Sequence, residues 1–298
     1  MAMCLSRRVW GVSWGLLLAS CASHPGTQPE PGPPEVVMKS KVVEGPQGRL
    51  SVREAGADGA PPVVLLHADS GRASQWQEVQ LRLGREYRAV ALDFRGSGES
   101  EPARDGDYGY GGRAADLGSV ADALGLKRFV LVAHSGGGAV ALEYAAHHAE
   151  RVAGLFLVDP PTDPRALPQA VRDGFVAALK GPDSLAFQQD YFRSIAGADP
   201  VVRERVVVDC AAVAPACRAG VGAALAEWNP EPTLKAWQGP FFILASAAND
   251  NANALYRLRA DVPHQVLSDT GHWLQLEQPA MVEDAIRRFL AGLESEAP

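Results

Sequence analysis

The sequence predicts an α/β fold built around a mainly parallel sheet, with one long helical insertion. Short apolar runs alternate with longer amphipathic segments from about residue 36 onward. Most of these runs are apolar without interruption, as expected for parallel strands that helices cover on both faces. Residues 161–238 depart from the alternation, because they show helical patterns and no convincing buried strand. The alternation indicates the α/β class, and its single interruption indicates the insertion.

Residues 1–20 have the features of an export signal. Arg7 and Arg8 precede an apolar stretch, residues 9–18, which is too short to span a bilayer core of about 30 Å as a helix. The letters LLLASC at residues 16–21, where this stretch ends, resemble the lipobox of bacterial lipoproteins, which implies that Cys21 becomes the mature N-terminus and carries a lipid anchor. A plain secretory signal with an incidental cysteine is the alternative. We therefore expect an exported protein, either a lipoprotein of the cell envelope (periplasmic or anchored at the outer membrane) or a secreted one.

The remaining chain divides by composition. Residues 21–35 are rich in proline and lack large apolar side chains, which is typical of a semi-rigid tether. Residues 36–160 and 239–298 are predicted to form the core, with residues 161–238 as a helical cap. The chain has 298 residues, 47% of them hydrophobic, and a formal charge of −7. This composition allows a sizeable core and argues against nucleic acid as a partner.

The predicted elements follow the chain in order. Residues 42–56 resemble an antiparallel hairpin that opens the sheet. The apolar runs predicted as six further strands are residues 61–68, 87–96, 129–135, 152–160, 239–246 and 264–269. The amphipathic segments predicted as helices around them are residues 74–84, 113–125, 138–150 and 280–293.

The insertion is predicted to be helical and folded. Its length of about 80 residues is far too great for a loop in a compact domain. Disorder is excluded by its large aromatic side chains, which need burial either in the cap itself or around a pocket beneath it. These side chains are Phe175, Phe187, Tyr191, Phe192, Trp228 and Trp237.

A serine lies where a buried strand turns into a helix, in FVLVAHSGGG, residues 129–138. Ligands of open parallel sheets bind beyond the carboxyl ends of the strands, which is where Ser135 is placed. A sharp turn that exposes its oxygen strains the backbone and needs small neighbours. Residues 133–137 match the nucleophile motif G-x-S-x-G, with alanine in the first position.

Four motifs in order resemble those of the α/β-hydrolase superfamily. Besides the serine turn, these are LLHADSG after the first central strand, DFRGSGES at residues 93–100 and DTGHWLQLEQP at residues 269–279. The resemblance covers nearly everything after residue 40. It implies an α/β-hydrolase fold with a helical cap inserted after the sixth strand, and it implies that Ser135 is the nucleophile. The other three segments correspond to the oxyanion-hole loop, a structural turn and the loop of the catalytic histidine.

The resemblance identifies the histidine and leaves two choices for the acid. His272 in TGHW matches the family histidine, which takes the proton of Ser135 and later returns it. Asp250 is the preferred acid, because it is the only carboxylate in AANDNANA after the strand at residues 239–246, one residue beyond the usual spacing. Asp159, after the preceding strand, is the alternative, since some relatives place their acid there.

The oxyanion hole is predicted to use two backbone amides. Gly136 begins a helix, whose positive end favours a developing negative charge. Asp69 occupies the position from which relatives with the sequence H-G-x contribute the second amide. A carboxylate beside an oxyanion is unfavourable unless it turns away or is neutralised. Arg72, near in sequence, is expected to neutralise it.

Two cysteines, Cys210 and Cys217, remain after the signal and the lipidated residue. Export makes a disulfide between them plausible. In one continuous helix their Cα atoms would lie about 10.5 Å apart, too far for a disulfide. Pro215 lies between them and can break the helix, so a disulfide and two free thiols both stay open.

The leading hypothesis is a serine hydrolase that cleaves a carboxylic ester of a small molecule through an acyl-enzyme. We expect no cofactor and no metal, because the sequence contains no H-E-x-x-H motif, Cys/His cluster or dinucleotide fingerprint. A serine in this turn argues against relatives that open epoxides, which use aspartate there. The alternatives are a perhydrolase or acyltransferase, a hydrolase of carbon–carbon bonds and, from a different class, a non-catalytic binding protein.

Overall fold

The computed structural model describes residues 36–295, so the predicted signal, the tether and Cys21 lie outside the described residues. An eight-stranded sheet confirms the predicted fold class, with strand order β1-β2-β4-β3-β5-β6-β7-β8. The strands are β1 (Lys39–Glu44), β2 (Arg49–Ala55), β3 (Pro62–Leu66), β4 (Arg88–Leu92), β5 (Phe129–His134), β6 (Val152–Val158), β7 (Phe241–Ser246) and β8 (His264–Leu267). β1 pairs with β2, and β2 with β4, in antiparallel fashion, and the other neighbours are parallel.

Eleven α-helices accompany the sheet in the described part of the chain. They are α1 (Gln77–Leu83), α2 (Tyr110–Ala123), α3 (Gly136–His147), α4 (Gln169–Lys180), α5 (Ser184–Ile195), α6 (Pro200–Ala211), α7 (Pro215–Glu227), α8 (Glu231–Ala236), α9 (Leu255–Leu258), α10 (Leu274–Glu277) and α11 (Pro279–Ser295). Helices α4 to α8 lie between β6 and β7, where the insertion is predicted.

The central strand β5 shows why its sequence is apolar throughout. All six of its residues are buried. Leu131 and Ala133 pack in the apolar layer that contains α2 and α3, whereas Val130 and Val132 pack in the layer that contains α1 and α11. Successive side chains of a strand point to opposite faces, so helices on both faces require apolar residues at every position.

The inserted helices have a small core of their own. Phe192, Val206 and Cys210 pack together there with Trp273, which comes from the loop before α10. The predicted burial of the aromatic residues is correct for Phe192, Trp228 and Trp237, and the two tryptophans join the main core. Phe175 and Phe187 are half-buried, and Tyr191 is 39% exposed. Tyr191 keeps this exposure because it borders a cavity between the cap and the sheet.

Of the two possibilities left open for the cysteines, the structure has the free thiols and not the disulfide. Both thiols are free and buried. Helix α6 ends at Ala211 and Pro215 begins α7, so the two cysteines lie on separate helices and in different apolar clusters. Cys210 packs against Phe192, whereas Cys217 packs beside Tyr108. Burial raises the pKa of each thiol to about 11.

The break between α6 and α7 also bears on membrane crossing. Within residues 36–295, no single helix is both long enough and apolar enough to cross a membrane. Helices α6 and α7 satisfy length and composition only when taken together, and they are bent by 108° at the break.

Candidate active site

Ser135 lies at the turn between β5 and α3. Its φ is 51°, in the left-handed region that residues with a side chain rarely adopt. The turn is held by the Ser135 amide, which donates to the carbonyl of Val158 at 3.0 Å, and by the Gly138 amide, which donates to the carbonyl of Ser135 at 2.7 Å. A side chain at Gly137 would collide with the carbonyl oxygen of His67. The glycines therefore allow the close backbone approach that this strained turn needs.

The imidazole of His272 lies between the serine and an aspartate. Its Nε2 is 2.8 Å from Oγ of Ser135, and its Nδ1 is 2.6 Å from a carboxylate oxygen of Asp159. His272 belongs to the loop between β8 and α10. The structure thus brings Ser135 and His272 together at one sheet edge, although 137 positions separate them.

Asp159, the alternative acid, lies directly after β6 and contacts Nδ1 of His272. Its carboxylate is almost fully buried and accepts three hydrogen bonds. Besides His272, the donors are the amide of Ser246 at 2.6 Å and the hydroxyl of Ser246 at 3.0 Å. The φ of Asp159 is 43°. These contacts fix the orientation of the carboxylate and, through it, of the imidazole.

Asp250, the preferred acid, is not at His272. Its carboxylate accepts hydrogen bonds from the hydroxyl of Tyr256 and from Nη2 of Arg257, each at 2.9 Å. These hydrogen bonds lower the pKa of Asp250. The order of the strands explains why Asp159, and not Asp250, contacts His272. Strand β6 is the neighbour of β5, so the residue after β6 lies close to Ser135, which follows β5. Asp250 follows β7 and a short turn, Ala247–Asn249, and pairs locally with α9.

Two backbone amides near Ser135 are the predicted oxyanion donors. Gly136 is the first residue of α3, so its amide has no partner within the helix. Asp69 lies three residues beyond the end of β3 and borders the same cavity. Among residues 36–295, neither amide donates a hydrogen bond. The predicted pair of donors is therefore available, and its role is taken up below as a proposal.

The carboxylate of Asp69 is neutralised, but by a different arginine from the expected one. Nη1 of Arg113, from the first turn of α2, lies 2.5 Å from Oδ1 of Asp69. Arg72, the expected partner, has Glu99 at 4.0 Å instead. Arg113 was missed because it is distant in sequence. A signal was present, since Arg113 falls on the buried stripe of α2 with Tyr110, Ala114 and Leu117.

Two buried histidines support the loops of the site. Nε2 of His134 donates to the carbonyl of His272 at 2.8 Å, and its Nδ1 accepts from the amide of Gln275 at 3.0 Å. Burial lowers the pKa of His134 well below its ordinary value, so it remains neutral. His67 accepts from the amide of Phe94 at 3.0 Å, and burial lowers its pKa as well. Both side chains hold backbone segments in place.

A cavity of about 700 Å³ connects these groups with the cap. Ser135, Asp69 and His272 line it on the sheet side, and Phe175 and Tyr191 line it on the cap side. Within residues 36–295, no group of three or more His, Cys, Asp or Glu side chains is arranged to hold a metal ion. The arrangement can move the hydroxyl proton of Ser135 to an oriented imidazole and can offer two amides to a negative oxygen.

Comparisons with known proteins agree with this architecture. A family model described as the alpha/beta hydrolase fold matches residues 61–279. N-formylmaleamate deformylase of Pseudomonas putida is 36% identical over 135 residues, which are 42% of this chain and 50% of the relative. Epoxide hydrolase 4 of Mus musculus is 35% identical over 108 residues, 36% of this chain and 30% of the relative. The chain thus spans half or less of the length of these curated relatives.

A solved structure gives a longer match. The structure of a thermophilic esterase from Thermogutta terrifontis, with malate bound, superimposes with a TM-score of 0.73 and 24% sequence identity. The match covers 86% of this chain and 99% of that one. At this identity the likeness shows a shared fold.

Proposed function

The chain belongs to the alpha/beta hydrolase fold family, and from that premise we propose that it is a serine hydrolase that cleaves a carboxylic ester through an acyl-enzyme. The observation that carries the proposal is the chain of contacts from Ser135 through His272 to Asp159, at 2.8 Å and 2.6 Å. A hydroxyl is a weak nucleophile until an adjacent base takes its proton, and the base must itself be oriented.

In the proposed mechanism Nε2 of His272 accepts the proton of Ser135 while Oγ attacks the ester carbonyl. The amides of Gly136 and Asp69 stabilise the tetrahedral oxyanion. His272 then protonates the leaving alcohol, and an acyl-serine remains. A water molecule, deprotonated by the same imidazole, attacks the acyl-serine, and His272 returns that proton to Oγ of Ser135 as the acid is released. Asp159 keeps Nδ1 of His272 protonated and stabilises the imidazolium that forms in both halves.

The nucleophile argues for acyl transfer over epoxide opening. Relatives that open epoxides carry aspartate in the turn after this strand, whereas this chain has Ser135. A serine can form an ester intermediate with a carbonyl substrate, and water can then hydrolyse that intermediate. The cavity combines an apolar cap side with polar groups at the sheet edge, which suits a small acyl ester.

A fluorophosphonate probe tests the proposal. We expect it to label the wild-type protein on Ser135 and to block hydrolysis of p-nitrophenyl acetate. Ser135→Ala and His272→Ala should lower kcat by at least about 10³-fold while the circular-dichroism melting curve stays near that of the wild type. A wild-type protein that takes up no label and hydrolyses no ester would refute the proposed function.

A further inference from the structure

An ion pair between a buried arginine and a largely buried aspartate lies directly against the proposed oxyanion hole. A Cβ atom built on Gly136 would collide with the carboxyl group of Asp69, so this carboxylate touches the backbone that would bind the oxyanion. The side chain of Asp69 is 15% exposed and borders the cavity, whereas that of Arg113 is 1% exposed. The negative partner therefore faces the reaction space, and the positive partner lies behind it.

The surroundings of Arg113 leave Asp69 as its main polar partner. Its guanidinium lies over the rings of Phe94 and Tyr110, with distances of 5.3 and 4.8 Å to the centroids. Its other hydrogen bonds are weak or lacking: Nε is 3.4 Å from the carbonyl of Gly109, and Nη2 has no partner among residues 36–295. A buried cation in an apolar and aromatic shell depends on its counter-ion, because removal from water is costly.

An unpaired carboxylate at this position would oppose the reaction. The tetrahedral intermediate carries a full negative charge on oxygen, and like charges a few ångströms apart repel strongly where water is excluded. Tyr110 offers Asp69 a long hydrogen bond of 3.4 Å, which does not cancel its charge. The cationic group that can cancel it is Arg113.

We propose that Arg113 is a positioning residue that keeps the oxyanion hole electrically neutral by pairing with Asp69. The pair also fixes the loop after β3, so that the amide of Asp69 points at the developing charge while its side chain is held toward α2. This inference rests on the proposed function and assigns part of that function to a residue outside the reacting groups.

Single and double substitutions test the pair in the full chain with p-nitrophenyl acetate. Arg113→Gln leaves the carboxylate unpaired, and we expect kcat to fall about 100-fold with little change in KM. Asp69→Asn removes the charge itself and keeps the backbone amide, so its kcat should exceed that of Arg113→Gln by at least about 10-fold. The double variant, Asp69→Asn with Arg113→Gln, should recover at least about 10-fold over Arg113→Gln alone. A purely structural role predicts that the double variant is no better than Arg113→Gln.

A matched control breaks another buried ion pair of the same helix. Asp116 on α2 pairs with Arg95 at 2.6 Å, and both side chains are buried away from the cavity. Asp116→Asn should lower the melting temperature but leave kcat of the folded protein within about 3-fold. If the wild type is active, two results would overturn the role of the pair without touching the proposed function. One is an Arg113→Gln variant with unchanged kcat, and the other is an Asp69→Asn variant whose kcat falls as far as that of Arg113→Gln. An inactive wild type instead refutes the proposed function.

Discussion

At the scale of single residues, the two candidate acids differ in what surrounds them. Asp159 is buried and receives donors from His272 and Ser246, so its charge is directed at the imidazole. Asp250 is at the surface and shares its charge with Arg257. A carboxylate supports a catalytic histidine only when it contacts the Nδ1 hydrogen, because that contact selects the tautomer whose Nε2 can accept a proton.

Substituting each aspartate by asparagine separates the two roles. Asp159→Asn keeps the shape but offers an amide to Nδ1, and we expect kcat for p-nitrophenyl acetate to fall by at least about 10³-fold. Asp250→Asn should leave kcat within about 3-fold, since it weakens an exposed ion pair with Arg257 and a hydrogen bond with Tyr256, neither of which touches His272. Steady-state kinetics of both variants provide the measurement. Loss of activity in Asp250→Asn with an active Asp159→Asn would reverse the assignment.

At the scale of elements, the cap is joined to the loop of the histidine. The amide of His272 donates to the carbonyl of Ile195, the last residue of α5, at 2.9 Å. Glu277 of α10 accepts from the amides of Gly197 and Gly271, at 3.3 and 2.8 Å. Residues 195–197 of the cap and residues 271–272 of the core therefore share one hydrogen-bonded junction.

A methyl group at Gly271 tests this junction. The added carbon would collide with the backbone of Ala196 and Gly197, so the two segments must separate. We expect Gly271→Ala to lower kcat by at least about 10-fold and to destabilise the protein by about 1–3 kcal/mol. Kinetics and urea unfolding measure the two effects.

Gly292 of α11 is the matched control, because a methyl group there meets no atom within 4 Å. Gly292→Ala should raise stability by about 0.5–1 kcal/mol, as expected for alanine in a helix, and leave activity unchanged. If Gly271→Ala behaved like Gly292→Ala, the junction would have no part in placing the histidine.

At the scale of the whole molecule, two buried histidines make stability depend on pH. Burial lowers the pKa of both His134 and His67 in the folded state, so the unfolded chain binds protons more readily. The stabilisation is therefore complete above the unfolded pKa of about 6.5 and is lost as the pH falls below it.

We expect the free energy of unfolding to fall between about pH 7.5 and pH 5.5, by at most about 1.4 kcal/mol per buried histidine. His134→Gln should be less stable throughout but should show a smaller fall over this interval. Urea unfolding at both pH values gives the slope, and His147→Gln, at an exposed position of α3, serves as the control. An unchanged slope in His134→Gln would show that His134 is not the group that titrates.

How far the sequence could predict this molecule depends on how local each signal is. The strands and the positions of Ser135 and His272 follow from patterns within about ten residues, and the structure agrees with them. The choice between Asp159 and Asp250 could not be made locally, because both follow strands whose carboxyl ends meet at the same edge. It depends on β6 lying next to β5, which is a property of the assembled sheet.

The partner of Asp69 illustrates the same limit. Arg72 is three residues away in sequence, yet Arg113, 44 positions away, makes the ion pair. Helix α2 begins at Tyr110 and presents Arg113 on its buried side. Charge pairing between separate elements is decided by how the helix packs, and no spacing rule encodes that.

The hydrogen bond from His272 to Ile195 couples access to reactivity. If the cap swung outward at this border, it would pull the imidazole away from the serine, and the nucleophile would lose its base at the moment when bulk solvent entered. Under the proposed mechanism, a substrate that entered at this border would meet an inert open form until the cap returned. Substrate entry and catalysis would then alternate, and a substrate bound at an open site would not react.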